Sequence, residues 1–260
     1  MGLDLKGRRG ILMPHVYYGD PSEEFSLKLL KTLVENGADL LEVGIPYSDP
    51  IADGPTFIAA CERALRGGIT PSQCLEGVRK LREEGVEVPI IVTTYMNIPY
   101  AHGVDSFLGR LVDSGVQGLI IPDLPFEEAR EIAEKTQELG IDFIFQVAPS
   151  TTEERLVKII EAASGFLYII NVEGVTGARE TLPPSTLELI RRVRRLTDLP
   201  LLVGFGISRP EHVRAVLSAG ADGVVVGSAI ADIYSKKLER PEETLPEISG
   251  FLKELKKGAS

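Results

Sequence analysis

Short apolar runs alternate with amphipathic segments along the whole chain. The runs are continuous rather than alternating, which is typical of strands that are covered on both faces. They fall near residues 11–16, 39–44, 88–93, 117–121, 142–146, 166–170, 200–204 and 222–226. The pattern therefore predicts eight strands.

The segments between these runs carry apolar residues at helical spacing. After Pro21, Ser22 can cap a helix in which Phe25, Leu29 and Leu33 share one face. Similar patterns cover roughly 56–66, 71–83, 104–114, 126–138, 152–163, 184–196, 209–219 and 240–257. Eight strands alternating with helices over about 250 residues predict an α/β fold of the (β/α)8 TIM-barrel type, with an open doubly wound sheet as the alternative. Because no linker divides the chain, we expect residues 1–260 to form a single domain.

A short unit precedes many of the strands: a glycine, a small or apolar residue, and a polar residue. Its copies begin at Gly37, Gly85, Gly115, Gly140 and Gly220. Each glycine suits the left-handed residue that ends a helix. The repeat therefore predicts one type of helix-to-strand turn at the amino-terminal end of the barrel.

Composition excludes several classes of function. The net charge of −10 argues against a nucleic-acid surface, which needs basic residues to replace counterions. No apolar run approaches the ~20 residues of a membrane span, and the two cysteines are too few for a disulfide framework. His15, His102 and His212 form no cluster in the sequence, so we expect no metal site. A cytoplasmic location is expected.

In a barrel of this type the active site lies at the carboxyl ends of the strands. Three of these ends are rich in glycine: 174–177, 204–208 and 227–230. Backbone N–H groups in such loops can approach an anion, and a helix that follows Ser228 would add positive partial charge. Three adjacent loops favour a bound phosphate, although each glycine alone is also explained by a tight turn.

Three carboxylates follow the second strand. Glu42 closes the run LLEVG, so burial is expected to raise its pKa and suit it to carry a proton. The alternative is a surface or ion-paired glutamate. Asp49 and Asp53 lie on the following loop, where a turn role for Asp49 and an N-cap role for Asp53 compete with function.

The chain resembles the tryptophan synthase alpha subunit family. The motifs that carry the resemblance are GDP at 19–21, GADLLEVGIPYSDPIADGPT at 37–56, Tyr95 with Asn97, PDLP at 122–125, GVTGAR at 174–179, GFGIS at 204–208 and GSAI at 227–230. The long motif is highly specific to that family. The glycine loops alone would not separate it from other phosphate-binding barrels.

The resemblance implies a lyase that cleaves indole-3-glycerol phosphate to indole and glyceraldehyde 3-phosphate by a retro-aldol reaction, without metal or cofactor. It gives Glu42 the role of general acid and base, and Asp53 the role of accepting the indole N–H. The residues implied in substrate binding are Tyr95, Tyr168, Thr176, Gly177, Phe205, Gly206, Gly227 and Ser228. Core packing is the alternative for Tyr168 and Phe205.

The resemblance also implies a partner. Asp49 and Asn97 match positions that face a PLP-dependent beta subunit in an alpha2beta2 assembly, to which indole passes. Several residues depart from the family pattern: His15, Tyr17 and Tyr18 in the first strand, Ile98, and 171–173. These departures keep open a stand-alone lyase or a paralogue with another phosphate-ester substrate. A non-catalytic activating subunit is a further alternative, against which the presence of both Glu42 and Asp53 argues.

Overall fold

The computed structural model describes residues 2–170, 182–204 and 206–259. Within these residues the strands lie where the apolar runs predict them, with ends shifted by one or two residues. They are β1 (Ile11–Tyr17), β2 (Leu41–Gly44), β3 (Ile90–Thr93), β4 (Gly118–Ile120), β5 (Asp142–Phe143), β6 (Gln146–Val147), β7 (Leu167–Ile170), β8 (Leu201–Gly204) and β9 (Gly223–Val226).

All strand pairs are parallel, in the order β5-β4-β3-β2-β1-β9-β8-β7-β6. The predicted strand 142–146 is divided into β5 and β6, so the expected eight strands are nine. The division marks a change of neighbour: Ile144 N–H donates to Leu119 O on one side, and Phe145 O accepts from Tyr168 N–H on the other. Because β5 and β6 are consecutive in the chain and lie at the two ends of the strand order, this segment joins those ends. The sheet therefore curls into the expected barrel.

Helices connect the strands on the outside of the sheet. In the described residues they are α1 (Glu23–Glu35), α2 (Pro55–Arg66), α3 (Pro71–Glu83), α4 (Asn97–His102), α5 (Val104–Asp113), α6 (Phe126–Glu138), α7 (Glu153–Ala162), α8 (Pro184–Arg194), α9 (Pro210–Ala219), α10 (Ser228–Tyr234) and α11 (Leu245–Lys257). The sequence prediction omitted α4, and the predicted helix 240–257 is a 3-10 turn at Pro241–Thr244 followed by α11. None of the described helices is long and apolar enough to cross a membrane.

The repeated Gly-x-polar unit forms the turns that the sequence predicts. Its five glycines all have positive φ, between 74° at Gly140 and 111° at Gly220. The polar residue of the unit then bonds the neighbouring strand: Asp39 accepts from Leu12 N–H, and Asp222 accepts from Leu201 N–H, both at 2.9 Å. The unit therefore both ends a helix and fixes the start of a strand beside it.

The barrel interior is filled by side chains from alternate positions of the strands. Its apolar layers contain Leu5, Ile11, Met13, Leu40, Ile91, Ile120, Ile144, Phe166, Tyr168, Leu202 and Val225. Continuing the same alternation toward the carboxyl ends brings His15, Glu42 and Thr93 above these layers. The interior is thus apolar below and polar at the end where the sequence predicts the site.

Candidate active site

Glu42 is the second residue of β2 and lies at the centre of the site. His15 of β1 and Ile91 of β3 are its register partners, so the sheet holds the glutamate between two strands. The side chain is only 1% exposed. The prediction of burial at a strand end is confirmed, and the surface alternative for Glu42 is wrong.

Burial decides the protonation of Glu42. One carboxylate oxygen, Oε1, accepts a 2.5 Å hydrogen bond from Thr93 Oγ1, while Oε2 is buried without a hydrogen-bond partner among the described residues. Desolvation raises the pKa of Glu42 from 4.5 to about 7, and the hydroxyls of Thr93 and Tyr168 oppose part of that rise. A pKa near neutrality allows this carboxyl group both to give and to take a proton.

His15 is a packed, neutral histidine. Its ring lies 5.1 Å from the ring of Tyr17 and 4.7 Å from that of Phe57, measured between centroids. Burial lowers its pKa to about 4, against the opposing charge of Asp53. Nδ1 is 3.5 Å from Glu42 Oε1, and because the imidazole is neutral at pH 7 the contact is not an ion pair.

Asp53 is held at the mouth of the barrel by two tyrosines. The hydroxyls of Tyr17 and Tyr95 both donate to its Oδ2, each at 2.6 Å. Helix α2 instead has Gly54 as its N-cap, with no side-chain capping bond. The N-cap alternative for Asp53 is therefore wrong, and its carboxylate faces the strand ends.

Tyr168 lies within the electrostatic influence of both carboxylates. Burial raises the pKa of its hydroxyl well above 10, and the charges of Glu42 and Asp53 raise it further, so the hydroxyl stays protonated. The ring occupies space that Gly204 leaves open, because a Cβ at that glycine would lie 2.2 Å from a ring carbon. Tyr168 is thus packed in the barrel and also lies beside Glu42.

The proposed phosphate seat is described only in part. Gly206 has φ +60° with open space where a Cβ would project, and Ser228 begins α10. The first N–H groups of a helix have no partner within it and can bind an anion. The predicted site residues Thr176, Gly177 and Phe205 lie outside the described residues.

Gly227 has a second, structural requirement. A Cβ at this position would lie 2.4 Å from the ring of Phe57. The glycine therefore leaves room for the ring of Phe57, which forms an aromatic wall of the site.

The residues predicted to face a partner lie on the exposed rim. Asp49 is exposed and accepts a 2.6 Å bond from Ser48 Oγ. Asn97, also exposed, donates to the hydroxyl of Tyr47 at 2.5 Å, which joins α4 to the loop that follows β2. On the same two segments Ile51 is 81% and Tyr100 is 77% exposed.

Sequence reasoning missed Thr93 and Phe57. Thr93 is the one polar residue of the buried run IIVT, and a polar residue at the end of such a run was a usable signal. In the structure it lies beside Gly44 in the ladder. Phe57 gave no such signal, because its role depends on how α2 packs over β1. In the part of the chain that the structure describes, no group of three His, Cys, Asp or Glu could hold a metal ion.

The chain is a parallel (β/α)8 barrel of the TIM-barrel class. Two unlike carboxyl groups at the carboxyl ends of its strands, where such barrels carry their active sites, are typical of acid–base enzymes of this class. A sequence model of the family described as "Tryptophan synthase alpha chain" matches residues 3–260. The chain belongs to the tryptophan synthase alpha chain family.

Relatives and solved structures agree with this assignment. The tryptophan synthase alpha chain of Methanothermobacter thermautotrophicus is 48% identical over 244 residues, which is 93% of this chain and 90% of that one. The corresponding protein of Methanoregula boonei is 46% identical over 241 residues, 93% and 91% of the two chains. A chain in a structure of the tryptophan synthase α2β2 complex of Pyrococcus furiosus superposes with a TM-score of 0.89 at 39% identity, covering 95% of this chain and 98% of that one.

Proposed function

We propose that this chain cleaves indole-3-glycerol phosphate to indole and glyceraldehyde 3-phosphate, with Glu42 and Asp53 as its catalytic residues. The observation that carries the proposal is the pair of unlike carboxyl groups. Glu42 is buried with a pKa of about 7, whereas Asp53 is partly exposed and accepts two hydrogen bonds. A retro-aldol cleavage of this substrate needs one group that transfers a proton and one that balances developing positive charge.

Glu42 carries out the proton transfers. Its carboxyl group protonates the indole ring carbon that bears the glycerol phosphate chain, which gives a cationic indolenine and leaves Glu42 ionised. The carboxylate then takes the proton of the adjacent side-chain hydroxyl as the carbon–carbon bond breaks. The electrons of that bond restore the indole ring, the hydroxyl carbon becomes the aldehyde, and Glu42 ends in its starting state.

Asp53 stabilises the intermediate. The ring N–H becomes more acidic when the indole is protonated, and a carboxylate that accepts this N–H balances the charge. Tyr17 and Tyr95 donate to Oδ2, which leaves Oδ1 as the oxygen for the substrate. Since the hydroxyls fix the carboxylate before substrate binds, little reorganisation is needed in the transition state.

The phosphate of the substrate is assigned to Gly206, Gly227 and Ser228, together with Thr176 and Gly177. Support comes from the backbone at Gly206, the start of α10 at Ser228, and the usual place of phosphate after the seventh and eighth strands of such barrels. Tyr168, Tyr95 and Phe205 are assigned to the indole side.

A PLP-dependent beta subunit is the proposed partner, in an alpha2beta2 assembly. Asp49, Asn97, Ile51 and Tyr100 together give the rim of the mouth exposed polar and apolar groups that a partner could cover. The chain itself would carry no cofactor. We also place the protein in the cytoplasm, where the free cysteines Cys61 and Cys74 would stay reduced.

A stand-alone lyase is the second candidate, because Asp53 is already held in place within this chain. Indole release from indole-3-glycerol phosphate, measured with and without a beta-type partner, separates the two. Activity that the partner raises many-fold supports the synthase subunit, and equal activity in both arms supports the stand-alone enzyme. Absence of indole in both arms would overturn the proposed function.

A further inference from the structure

Asp53 lies on the loop between β2 and α2. Side-chain bonds to other elements hold α2 in place, whereas the middle of the loop is exposed. The loop begins after β2 and ends at α2, and α2 is fixed at both of its ends. Thr56 Oγ1 donates to Asp232 of α10 at 2.9 Å, and Arg63 makes a two-pronged bond to Asp20 at 2.6 and 2.8 Å. Ile51 and Ala52, which precede these anchors in the loop, are exposed. The position of the Asp53 carboxylate therefore depends on what holds the loop from inside.

Tyr17 supplies that support from the rigid part of the barrel. It is the last residue of β1, is 1% exposed, and its ring meets Phe57 edge-on at 5.2 Å between centroids. Gly44 of the neighbouring strand makes room for this ring, because a Cβ there would lie 2.6 Å from it. A ring packed on these sides has one orientation, so its hydroxyl is a fixed donor.

Tyr95 completes the arrangement from the other side. Its hydroxyl donates to the same Oδ2 of Asp53 and accepts from the N–H of Ala52 at 3.1 Å. It also stacks on Tyr47 at 5.1 Å between centroids. One strand-end tyrosine thus holds the carboxylate alone, and the other holds both the carboxylate and the loop backbone.

We propose that Tyr17 is a positioning residue that, with Tyr95, holds Asp53 in its working orientation without a partner chain. The inference rests on the proposed function only for its kinetic consequence. Because Tyr17 belongs to β1, this support comes from within the chain itself. Burial and the nearby charge of Asp53 raise the pKa of Tyr17 well above 10, and the hydroxyl accordingly remains a donor.

The test compares Tyr17→Phe with Tyr18→Phe in the full chain. Both tyrosines are buried, but the ring of Tyr18 lies against α3, where a Cβ at Gly77 would be 2.3 Å from its hydroxyl. Tyr17→Phe should lower kcat for indole release on the order of tenfold and leave KM within about twofold of wild type. The substitution removes a hydrogen bond that orients Asp53, but it removes no group that contacts the substrate. Tyr18→Phe should change neither constant.

Hydrogen exchange supplies a readout that is independent of activity. Tyr17→Phe should speed amide exchange several-fold in the segment 51–54, and Tyr18→Phe should leave it at the wild-type rate. Exchange that is unchanged in Tyr17→Phe overturns the inference, whatever the kinetics show. If the wild-type chain releases no indole either with or without a beta-type partner, the proposed function fails, and the exchange data alone decide the role of Tyr17.

A double-mutant cycle separates positioning from direct action. If Tyr17 acts through Asp53, Tyr17→Phe should have no further effect on kcat in an Asp53→Asn background. An undiminished tenfold loss in that background would assign Tyr17 a different role and overturn the inference.

Discussion

The two ends of the barrel differ in whether their buried polar side chains have hydrogen-bond partners. At the amino-terminal end Arg82 donates to the carbonyl oxygens of Val86, Val88 and Gly115 and to Gln117 Oε1, at 2.7 to 3.1 Å. At the carboxyl end Glu42 Oε2 and His15 Nε2 are buried without partners among the described residues. Buried polar groups at the amino-terminal end thus bond to each other and fix the fold. At the carboxyl end some buried polar atoms lack such a partner, and a ligand could supply one.

This contrast explains why the same kinds of residue have different consequences. Asp222 and Asp53 are both partly buried aspartates, yet Asp222 binds Leu201 N–H and Arg194 within the scaffold. Asp53 is instead bonded at the mouth of the barrel, where the hydroxyls of Tyr17 and Tyr95 donate to its Oδ2. We therefore expect substitutions at the amino-terminal end to change stability, and substitutions at the mouth to change turnover.

The largest expected effect on turnover is that of Glu42→Gln. An amide cannot transfer the proton, so indole release should fall by about 10³-fold or more. Turnover within tenfold of wild type would contradict the catalytic assignment.

The same substitution should stabilise the fold at high pH. Glu42 has a folded-state pKa of about 7, against 4.5 for a solvent-exposed glutamate in the unfolded chain, so folding favours its protonated form. Below pH 4.5 both states are protonated and there is no cost. Stability then falls as the pH rises to 7, and above that the full cost is about 3 kcal/mol. Urea unfolding should show Glu42→Gln more stable than wild type at pH 8 and nearly equal to it at pH 4.

Asp53→Asn should reduce kcat by about 10²-fold while KM is roughly kept. The amide is neutral and cannot balance the charge of the protonated indole, although it fills the same space. Steady-state kinetics of indole release measure the split. An effect confined to KM would show that Asp53 only binds the substrate.

At the opposite end, Arg82→Ala should reduce the free energy of unfolding by about 3 kcal/mol, because three carbonyl groups lose their donors. Its kcat at a temperature where the variant is folded should match wild type. Arg79→Ala is the matched control: Arg79 is on the same helix but is exposed and pairs with Glu76 and Glu83, so its loss should leave the urea midpoint close to that of wild type. A kcat loss in Arg82→Ala would break the division between the two ends.

The smallest expected effect is that of Thr93→Val. The Thr93 hydroxyl lowers the pKa of Glu42 by bonding its carboxylate, and removing it should raise that pKa by about one unit or less. The alkaline limb of the pH–rate profile should move upward by the same amount. A limb that stays in place, or moves downward, would contradict this account of the bond.

Much of the scaffold was predictable because it follows from periodicity. The apolar runs located the strands, and each Gly-x-polar unit predicted a left-handed turn that the structure contains. The break between β5 and β6 was not predictable, because it reflects which neighbour supplies the hydrogen bonds and not the pattern of the run itself. Helix α4 was missed since its six residues are too few to show a helical stripe.

The site was predictable in part. Glu42 could be placed because it closes a buried run, and Asp53 because of the resemblance carried by the long motif. The contact of Tyr17 with Asp53 joins residues 36 positions apart through a loop with no periodic pattern. Only the folded chain shows that the end of the first strand and the loop that carries Asp53 meet.

The pH dependence of kcat/KM for indole release tests the central claim most directly. Glu42 must begin the reaction protonated, so the rate should be constant at lower pH and fall as the pH rises through about 7, the pKa to which burial raises this carboxyl group. A profile that stays flat from about pH 6 to 9, or one that rises through neutrality, would contradict the role of Glu42 as the initial proton donor.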